Sequence, residues 1–293
     1  MYMSFLKQYE MKKSVLSIAV IAAIIPMALS CKSAPEQDNS LKVVSYNIRM
    51  GVAPDGDNHW DLRKPASPAM IDDVCPDVFG VQEAFDFQLS YLTENCPKYK
   101  YVGVGREDGV NEGEQMAIFY NTDKISLEDW GTYWLSETPD VPSKGWDAAC
   151  YRTATWTLMK VNGTGRHFYY VNTHLDHIGA EARKNGLALI VNKIAGMNPE
   201  NYPMILTGDL NVFPDDPCLV DIDKIMKSAR VYAEDSDTKG SYNGFSDSGS
   251  TAAIDYIYYS GFEKCTDFKV IDKTYAEKPF ISDHYPVVAT LVF

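Results

Sequence analysis

The sequence predicts an α/β fold in which two mostly antiparallel β-sheets pack face to face, with helices on their outer surfaces. Short β-rich runs bounded by Gly, Pro, Asn and Asp recur through most of the chain, and a few amphipathic segments lie between them. The length from Leu41 to Phe293 suits one large domain with a substantial core, and this range contains no linker or internal repeat. We therefore expect one domain over residues 41–293.

In the first half of the domain, strands alternate with helices. Strands are predicted where β-rich or apolar runs end at polar groups, and helices where longer amphipathic segments follow. In chain order these are the strand Leu41–Ile48, the helix Pro65–Val74, the strand Asp77–Glu83, the helix Phe85–Asn95, and the strands Tyr101–Gly105 and Glu114–Tyr120.

The second half begins with an aromatic segment, Trp130–Cys150, which we interpret as a loop that either lines a substrate cleft or caps the core. A hairpin turning at Asn162–Gly165 follows, and then a helix with aliphatic residues on one face. The predicted elements are the strands Thr153–Val161 and His167–Thr173, the helix Ala180–Met197, and the strands Met204–Asn211, Ile254–Tyr259, Phe268–Thr274 and Val287–Phe293.

Residues 1–30 have the pattern of an export signal. Two lysines precede an uncharged, mostly aliphatic run from Ser14 to Ser30, which is short for a membrane span. Met11 is a better start for this signal than Met1, so translation could begin there. Residues 31–40 are small and polar, which predicts a flexible tether between the signal and the domain.

The signal ends at Cys31 in a sequence that resembles a bacterial lipobox. This resemblance implies that Cys31 is lipidated and anchors an exported protein to a membrane, on a periplasmic or cell-surface face. Simple cleavage and release is the alternative.

Charge and cysteine content exclude some function classes. The formal net charge is −13, and it becomes −15 when residues 1–30, with three lysines and one glutamate, are removed. No basic stripe is visible, so binding to long nucleic acid is disfavoured. The five cysteines beyond Cys31 contain no Cys-x-x-Cys pair, which disfavours a zinc site. A bridge between Cys75 and Cys96 is conceivable, although free buried thiols are more common.

Polar residues gather where the predicted strands end. Because successive strand residues point to opposite faces, Asp209 and Asn211 should share one face while Leu210 turns into the core. A strand-end Asp is often only a turn former or a helix cap. Other polar groups at strand ends favour a functional site, namely Asn47, Glu83, His174, Asp255, Asp283 and His284.

Six short motifs in order resemble those of the endonuclease/exonuclease/phosphatase superfamily. They are Ser45–Arg49, Gln82-Glu83, Asn172–His174, Gly208–Asn211, Ile254–Ile257 and Ser282–His284. The resemblance spans residues 41–293 and implies a DNase I-like, four-layered α/β sandwich. It also implies a divalent metal, usually Mg²⁺ with Mn²⁺ as an alternative, between the sheets. Oxygen ligands suit such an ion, and the candidates are Glu83, Asn47 and Asp283.

The resemblance also implies catalytic roles in a hydrolysis without a covalent enzyme intermediate. Asp209 would position and deprotonate the attacking water, and Asn211 would donate hydrogen bonds to the phosphoryl oxygens. His284, oriented by Asp255, would contact the reacting phosphate. His174, oriented by Glu114, would contact a second phosphate oxygen.

Substrate contacts are less specific in the sequence. Arg152 is a candidate because its guanidinium suits phosphate geometry, and Trp146 of the aromatic loop is another. His177 and Arg183 follow His174 and either bind substrate or order that loop.

The resemblance fixes a reaction class, hydrolysis of phosphoric esters, and leaves the substrate open. We expect a monomer that acts on a small or lipid-derived phosphoester, such as a nucleotide, a phosphorylated sugar or a lipid head group. The alternatives are an exported nuclease of the same fold, which would hold short single strands by aromatic stacking, and a non-catalytic binding lipoprotein. The second alternative predicts a broken motif, and all six are intact.

Overall fold

The structure, a computed structural model, describes residues 39–246, 248 and 252–293. The predicted signal peptide, all but the end of the tether, and Cys31 lie outside these residues. Within the described part of the chain, no helix is long and apolar enough to cross a membrane.

The described residues form thirteen strands and six α-helices. The described strands are β1 (Ser40–Asn47), β2 (Val78–Gln82), β3 (Tyr99–Val102), β4 (Ile118–Asn121), β5 (Ile125–Trp134), β6 (Thr153–Val161), β7 (His167–His174), β8 (Met204–Asp209), β9 (Lys227–Ser228), β10 (Asp235–Ser236), β11 (Asp255–Ser260), β12 (Lys264–Val270) and β13 (Val287–Val292). The described α-helices are α1 (Trp60–Arg63), α2 (Ala66–Val74), α3 (Asp86–Asn95), α4 (Ala180–Met197), α5 (Val220–Asp223) and α6 (Ala229–Tyr232). Short 3₁₀ turns occupy Gly56–Asn58 and Pro217–Leu219.

The strands form two sheets, in the orders β10-β12-β13-β1-β2-β4-β3 and β5-β6-β7-β8-β11-β9. Side chains alternate across each strand, so Val43 packs between the sheets with Tyr170 and Ile205, whereas Val44 packs outward against α2 and α3. Helices α4 and α5 cover the other sheet. This arrangement of helix, sheet, sheet and helix confirms the predicted four-layered sandwich.

Most strand pairs are antiparallel, and two parallel pairs position the functional residues. β1 runs parallel to β2, and β7 runs parallel to β8. Parallel strands end at the same edge of a sheet, so His174 and Asp209 lie side by side in register. The antiparallel strand β11 begins at the same edge, where Asp255 pairs with Asp209.

A buried polar network joins the two sheets below this edge. Gln82 Nε2 donates to Asn172 Oδ1 at 2.7 Å, and Thr207 Oγ1 lies 3.0 Å from the same oxygen. A Cβ atom on Gly80 would lie only 2.5 Å from the Asn172 side chain, so the sheets could not approach this closely with a larger residue. This network should fix how the edge of one sheet faces the other.

The structure corrects several sequence-based expectations. Trp130 and Trp134 belong to β5, although the sequence suggested that they open an aromatic loop. The predicted strand Glu114–Tyr120 begins too early, because β4 begins at Ile118 and residues 114–117 lie outside it. β12 ends at Val270 and begins four residues before Phe268.

The strand β8 ends at Asp209, and Asn211 has a left-handed backbone with φ 52°. Asn211 therefore approaches Asp209 through a turn, and strand alternation does not explain their proximity.

Candidate active site

A cleft of about 470 Å³ opens at the edge where these strand ends meet. Nine of the predicted site residues line it, all carrying polar or charged side chains: Glu83, Glu114, Arg152, His174, His177, Asp209, Asn211, Asp283 and His284. Residues from both sheets and from loops far apart in sequence thus contribute to one cavity.

Asp209 lies at the centre of the site and is almost completely buried. Its Oδ1 accepts a hydrogen bond from the backbone N–H of Asn211 at 2.9 Å, and its Oδ2 accepts one from Asn47 Nδ2 at 3.1 Å. Burial raises the pKa of Asp209 to about 7, even though His284 acts to lower it. A carboxylate with a pKa near neutrality, held by two donors, is suited to accept a proton from water.

His284 and Asp255 form a buried pair beside Asp209. His284 Nδ1 lies 2.8 Å from Asp255 Oδ2, and His284 Nε2 lies 3.7 Å from Asp209 Oδ2. Burial alone would lower the pKa of His284, but Asp255 and Asp209 raise it to about 10. The ring is therefore an imidazolium at neutral pH, and its Nε2–H faces the cleft.

His174 differs from His284 in charge and in partner. Burial, reinforced by Arg152, holds the pKa of His174 well below its usual value, so the ring is neutral. Its Nδ1 is buried without a hydrogen-bond partner among the described residues. The predicted partner Glu114 instead accepts from Arg106 Nη1 at 2.7 Å. The expected His174–Glu114 pair is thus replaced by an Arg106–Glu114 ion pair.

Asn211 lines the cleft, but its amide is already engaged. Asn211 Nδ2 lies 3.0 Å from His174 Nε2 and donates to the carbonyl oxygen of Leu175 at 3.0 Å. The expected donation from Asn211 to phosphoryl oxygens stays a prediction, and it requires at least one of these two contacts to be exchanged for the substrate. The contact does fix the His174 ring, because a neutral imidazole that accepts at Nε2 carries its proton on Nδ1.

The residues expected to hold a metal ion form an acidic group around Glu83. Glu83 is held by hydrogen bonds from Asn47 Nδ2 at 2.9 Å and from the backbone N–H of Met50 at 3.0 Å. Oxygens of Glu83 and Asp209 and a ring nitrogen of His174 all lie within 4.8 Å of one another. Asp283 is also buried in the cleft, and its pKa is raised by burial and by the charge of Glu83.

Buried carboxylate oxygens beside an open cleft are the ligands that a hard divalent cation prefers, so this donor set fits such an ion. Asn47 is less suited to be a ligand than the sequence suggested. It is fully buried behind the cleft, its Nδ2 holds Glu83 and Asp209, and its Oδ1 accepts from the backbone N–H of Arg49 at 3.0 Å. In this geometry Asn47 positions the carboxylates.

The predicted substrate contacts separate into two groups. Arg152 is buried in the cleft wall, where its Nε lies 3.3 Å from Asp176 Oδ2 and its Nη2 lies 2.9 Å from His177 Nδ1. Arg183 and Trp146 do not line the cleft. Arg183 donates to the carbonyl of Asp176 at 2.9 Å, so it orders the loop after β7, one of the two roles considered for it.

Six of the described residues that line the cleft are not among the candidates that the sequence indicated: Arg49, Met50, Arg106, Cys150, Tyr242 and Ile254. Arg49 ends the first of the six motifs, Ser45–Arg49, but the sequence did not indicate a role for it. Arg106 gives no signal in the sequence, because it comes from an irregular loop and its contact with Glu114 depends on the folded path. The Cys150 thiol is half-buried and, like the other four described cysteines, free, so the conceivable Cys75–Cys96 bridge is not formed.

Comparisons with known proteins show which family the chain belongs to. Residues 44–284 match the sequence profile of the endonuclease/exonuclease/phosphatase family. The chain is 37% identical to a structure of a member of that family from Bacteroides thetaiotaomicron, with a TM-score of 0.83 over 87% of this chain and 98% of that one. It is 38% identical to a mannosyl-6-phosphatase from the same organism, with a TM-score of 0.83 over 86% of this chain and 100% of that one.

A protein of Acanthamoeba polyphaga mimivirus is 27% identical over 190 residues, which cover 62% of this chain and 70% of the viral protein. The profile match and the shared fold confirm the resemblance that the six motifs indicated. The chain belongs to the endonuclease/exonuclease/phosphatase family and is a metal-dependent hydrolase of phosphoric esters.

Proposed function

We propose that this protein is a Mg²⁺-dependent or Mn²⁺-dependent phosphomonoesterase whose substrate is a small phosphorylated sugar. The observation that carries the proposal is the pair of buried arginines, Arg106 and Arg152, in the same cleft as Asp209 and His284. A terminal phosphate carries more negative charge than a diester, and permanent cations in a partly desolvated cleft favour it.

Two further observations favour a small sugar phosphate over a polymer. The cleft of about 470 Å³ lies in the range typical of small-molecule sites, roughly 300–1,000 Å³. A relative with 38% identity, aligned over its whole length, is a mannosyl-6-phosphatase. The net charge of −13 disfavours a polyanion such as duplex DNA.

Several residues of the chain have defined tasks in this reaction. Glu83 and Asp283 would hold the metal ion, which supplies Lewis-acid stabilisation of charge on the phosphoryl group. Asp209 orients the attacking water and takes its proton. The His284 imidazolium faces the same point and offsets negative charge as the ester bond breaks. Arg152 holds a phosphate oxygen.

The test measures phosphate release from mannose 6-phosphate, inositol phosphates, nucleoside monophosphates and a glycerophosphodiester, with plasmid DNA as a polymer control. We expect metal-dependent turnover that is highest with a sugar phosphate, and its loss in Asp209→Asn and His284→Ala. Cleavage of plasmid DNA at a comparable rate would favour the nuclease alternative. Retained activity in both variants would refute the assigned roles, and binding without turnover would indicate a non-catalytic lipoprotein.

We also propose that the protein is an exported lipoprotein, anchored through Cys31, that acts as a monomer at the membrane surface. The lipobox-like sequence before Cys31 supports this. Membrane fractionation of Cys31→Ser tests it, because loss of the lipid should move the protein to the soluble fraction. An unchanged membrane fraction would contradict the anchor.

A further inference from the structure

Arg49 places a permanent positive charge directly beside the candidate metal ligands. Its Nη1 lies 3.6 Å from Asp283 Oδ2 and 3.9 Å from Glu83 Oε2, and the side chain lines the cleft. These separations are longer than a hydrogen bond. The guanidinium therefore lies beside both carboxylates without a direct hydrogen bond to either at these atoms. A guanidinium stays charged at any pH the protein meets.

The fold holds this guanidinium in place. Arg49 Nε and Nη2 donate to the two carboxylate oxygens of Asp55 at 3.1 and 3.0 Å, a bidentate pair on the edge away from the metal ligands. The backbone of Arg49 is left-handed, with φ 59°. Its carbonyl accepts hydrogen bonds from Arg63 Nη2 and Gln88 Nε2, both at 3.0 Å. A strained backbone position fixed by two side chains indicates a specific position for the charge.

The other two acids that line the cleft already have hydrogen-bond partners. Glu114 is paired with Arg106, and Asp209 accepts from Asn47 and Asn211. Sites with two metal ions hold them roughly 3.5–4 Å apart, which requires several carboxylates to be shared between the ions. The Arg49 guanidinium lies next to Glu83 and Asp283, the two lining acids that the proposed function assigns to the ion.

We propose that Arg49 is a fixed cation that takes the place of a second metal ion. The site then binds one divalent ion. The neighbouring guanidinium lowers the affinity for that ion by charge repulsion. This inference rests on the metal site of the proposed function. Arg49 and the single ion would together supply the positive charge that a phosphate substrate meets.

Isothermal titration of the folded protein with Mn²⁺ tests this inference without any substrate. We expect wild type to bind one ion per chain in the cleft. Arg49→Met should bind Mn²⁺ roughly tenfold more tightly, because a like charge within a few ångströms is removed. Arg49→Lys keeps the charge and should stay near wild type. Asp55→Asn, which removes the counter-charge of Arg49, should bind more weakly.

Arg166→Met is the matched control for a lost positive charge. Arg166 is exposed and precedes β7, whereas the cleft lies at the far end of that strand, about 25 Å away for eight extended residues. Its affinity for Mn²⁺ should equal that of wild type. Thermal unfolding shows whether each variant is folded. If Arg49→Met does not fold, the Mn²⁺ affinities of Arg49→Lys and Asp55→Asn decide the test.

Two ions bound to the wild-type cleft would overturn the inference. So would unchanged or weaker binding by folded Arg49→Met, or an Arg49→Lys that behaves like Arg49→Met. These results would leave the proposed function intact. A wild-type protein that binds no Mn²⁺ would contradict the metal site of the proposed function together with this inference.

Discussion

Replacement of Asp255 by asparagine should convert His284 from a permanent cation into a group that titrates near neutrality. The pKa of His284 is about 10 in the structure, with Asp255 Oδ2 only 2.8 Å from Nδ1. Without that charge, the pKa should fall toward the ordinary value of about 6.5. The protonated fraction at pH 8 then drops from roughly 99% to roughly 3%, whereas at pH 6 most rings stay protonated.

The assay is kcat/KM for phosphate release from a sugar phosphate between pH 5.5 and 9. If the imidazolium is required, Asp255→Asn should lose about 30-fold at pH 8 and about twofold or less at pH 6. Asp77→Asn is the matched control, because Asp77 is also a buried carboxylate but lies at the opposite end of β2 from Glu83. A uniform loss at every pH, or a control that shifts in the same way, would refute the reasoning.

Stability provides a second readout of the same pair. The folded pKa of His284 lies above its unfolded value, so the stabilisation is complete below about pH 6.5 and is lost as pH rises through about 10. The free energy of unfolding of wild type should therefore fall as the pH rises from about 6.5 to about 10. Asp255→Asn should show a flatter dependence on pH, and an identical dependence would contradict the assigned charge.

Three further predictions follow from the site. Asp209→Asn should lower kcat by about 10²–10⁴-fold, yet at pH 8 its Tm should match or exceed that of wild type, because burial penalises the Asp209 charge above its pKa of about 7; a lower Tm would contradict this. Glu83→Gln should weaken Mn²⁺ binding by more than about tenfold in a titration, and chelation should abolish wild-type turnover; unchanged binding would exclude Glu83 as a ligand. Arg63→Met should lower the free energy of unfolding in denaturant by about 3 kcal/mol or more, because Arg63 donates to four carbonyls, including those of Ile48 and Ile281 beside the cleft; a loss no greater than that of Lys64→Met, whose side chain is partly exposed, would contradict this.

The layers of the fold could be predicted because they depend on periodicity. Alternation along β1 sends Val43 and Val44 to opposite faces, and the aliphatic stripe of α4 marks its buried side. β5 escaped prediction because Glu128, Asp129 and Trp130 are exposed and a bulge near Leu127 interrupts its register. Exposed strand residues with a bulge do not give an alternating pattern.

The sequence predicts which residues form the candidate site better than it predicts how they contact one another. Polar groups at strand ends identified Glu83, Asp209 and His284, because a core does not need them there. The partner of Glu114 could not be read from spacing, since Arg106 reaches it from an irregular loop. Asn47 illustrates the same limit, because its residue type suits a metal ligand while the structure turns its amide toward two carboxylates.

The central claim is that distant loops assemble a metal site in this cleft, and anomalous scattering from crystals soaked in Mn²⁺ tests it most directly. We predict one peak in the cleft, within about 2.0–2.3 Å of an oxygen of Glu83, and no peak in crystals of Glu83→Gln. A peak elsewhere with none in the cleft, or a peak that persists in Glu83→Gln, would contradict the account.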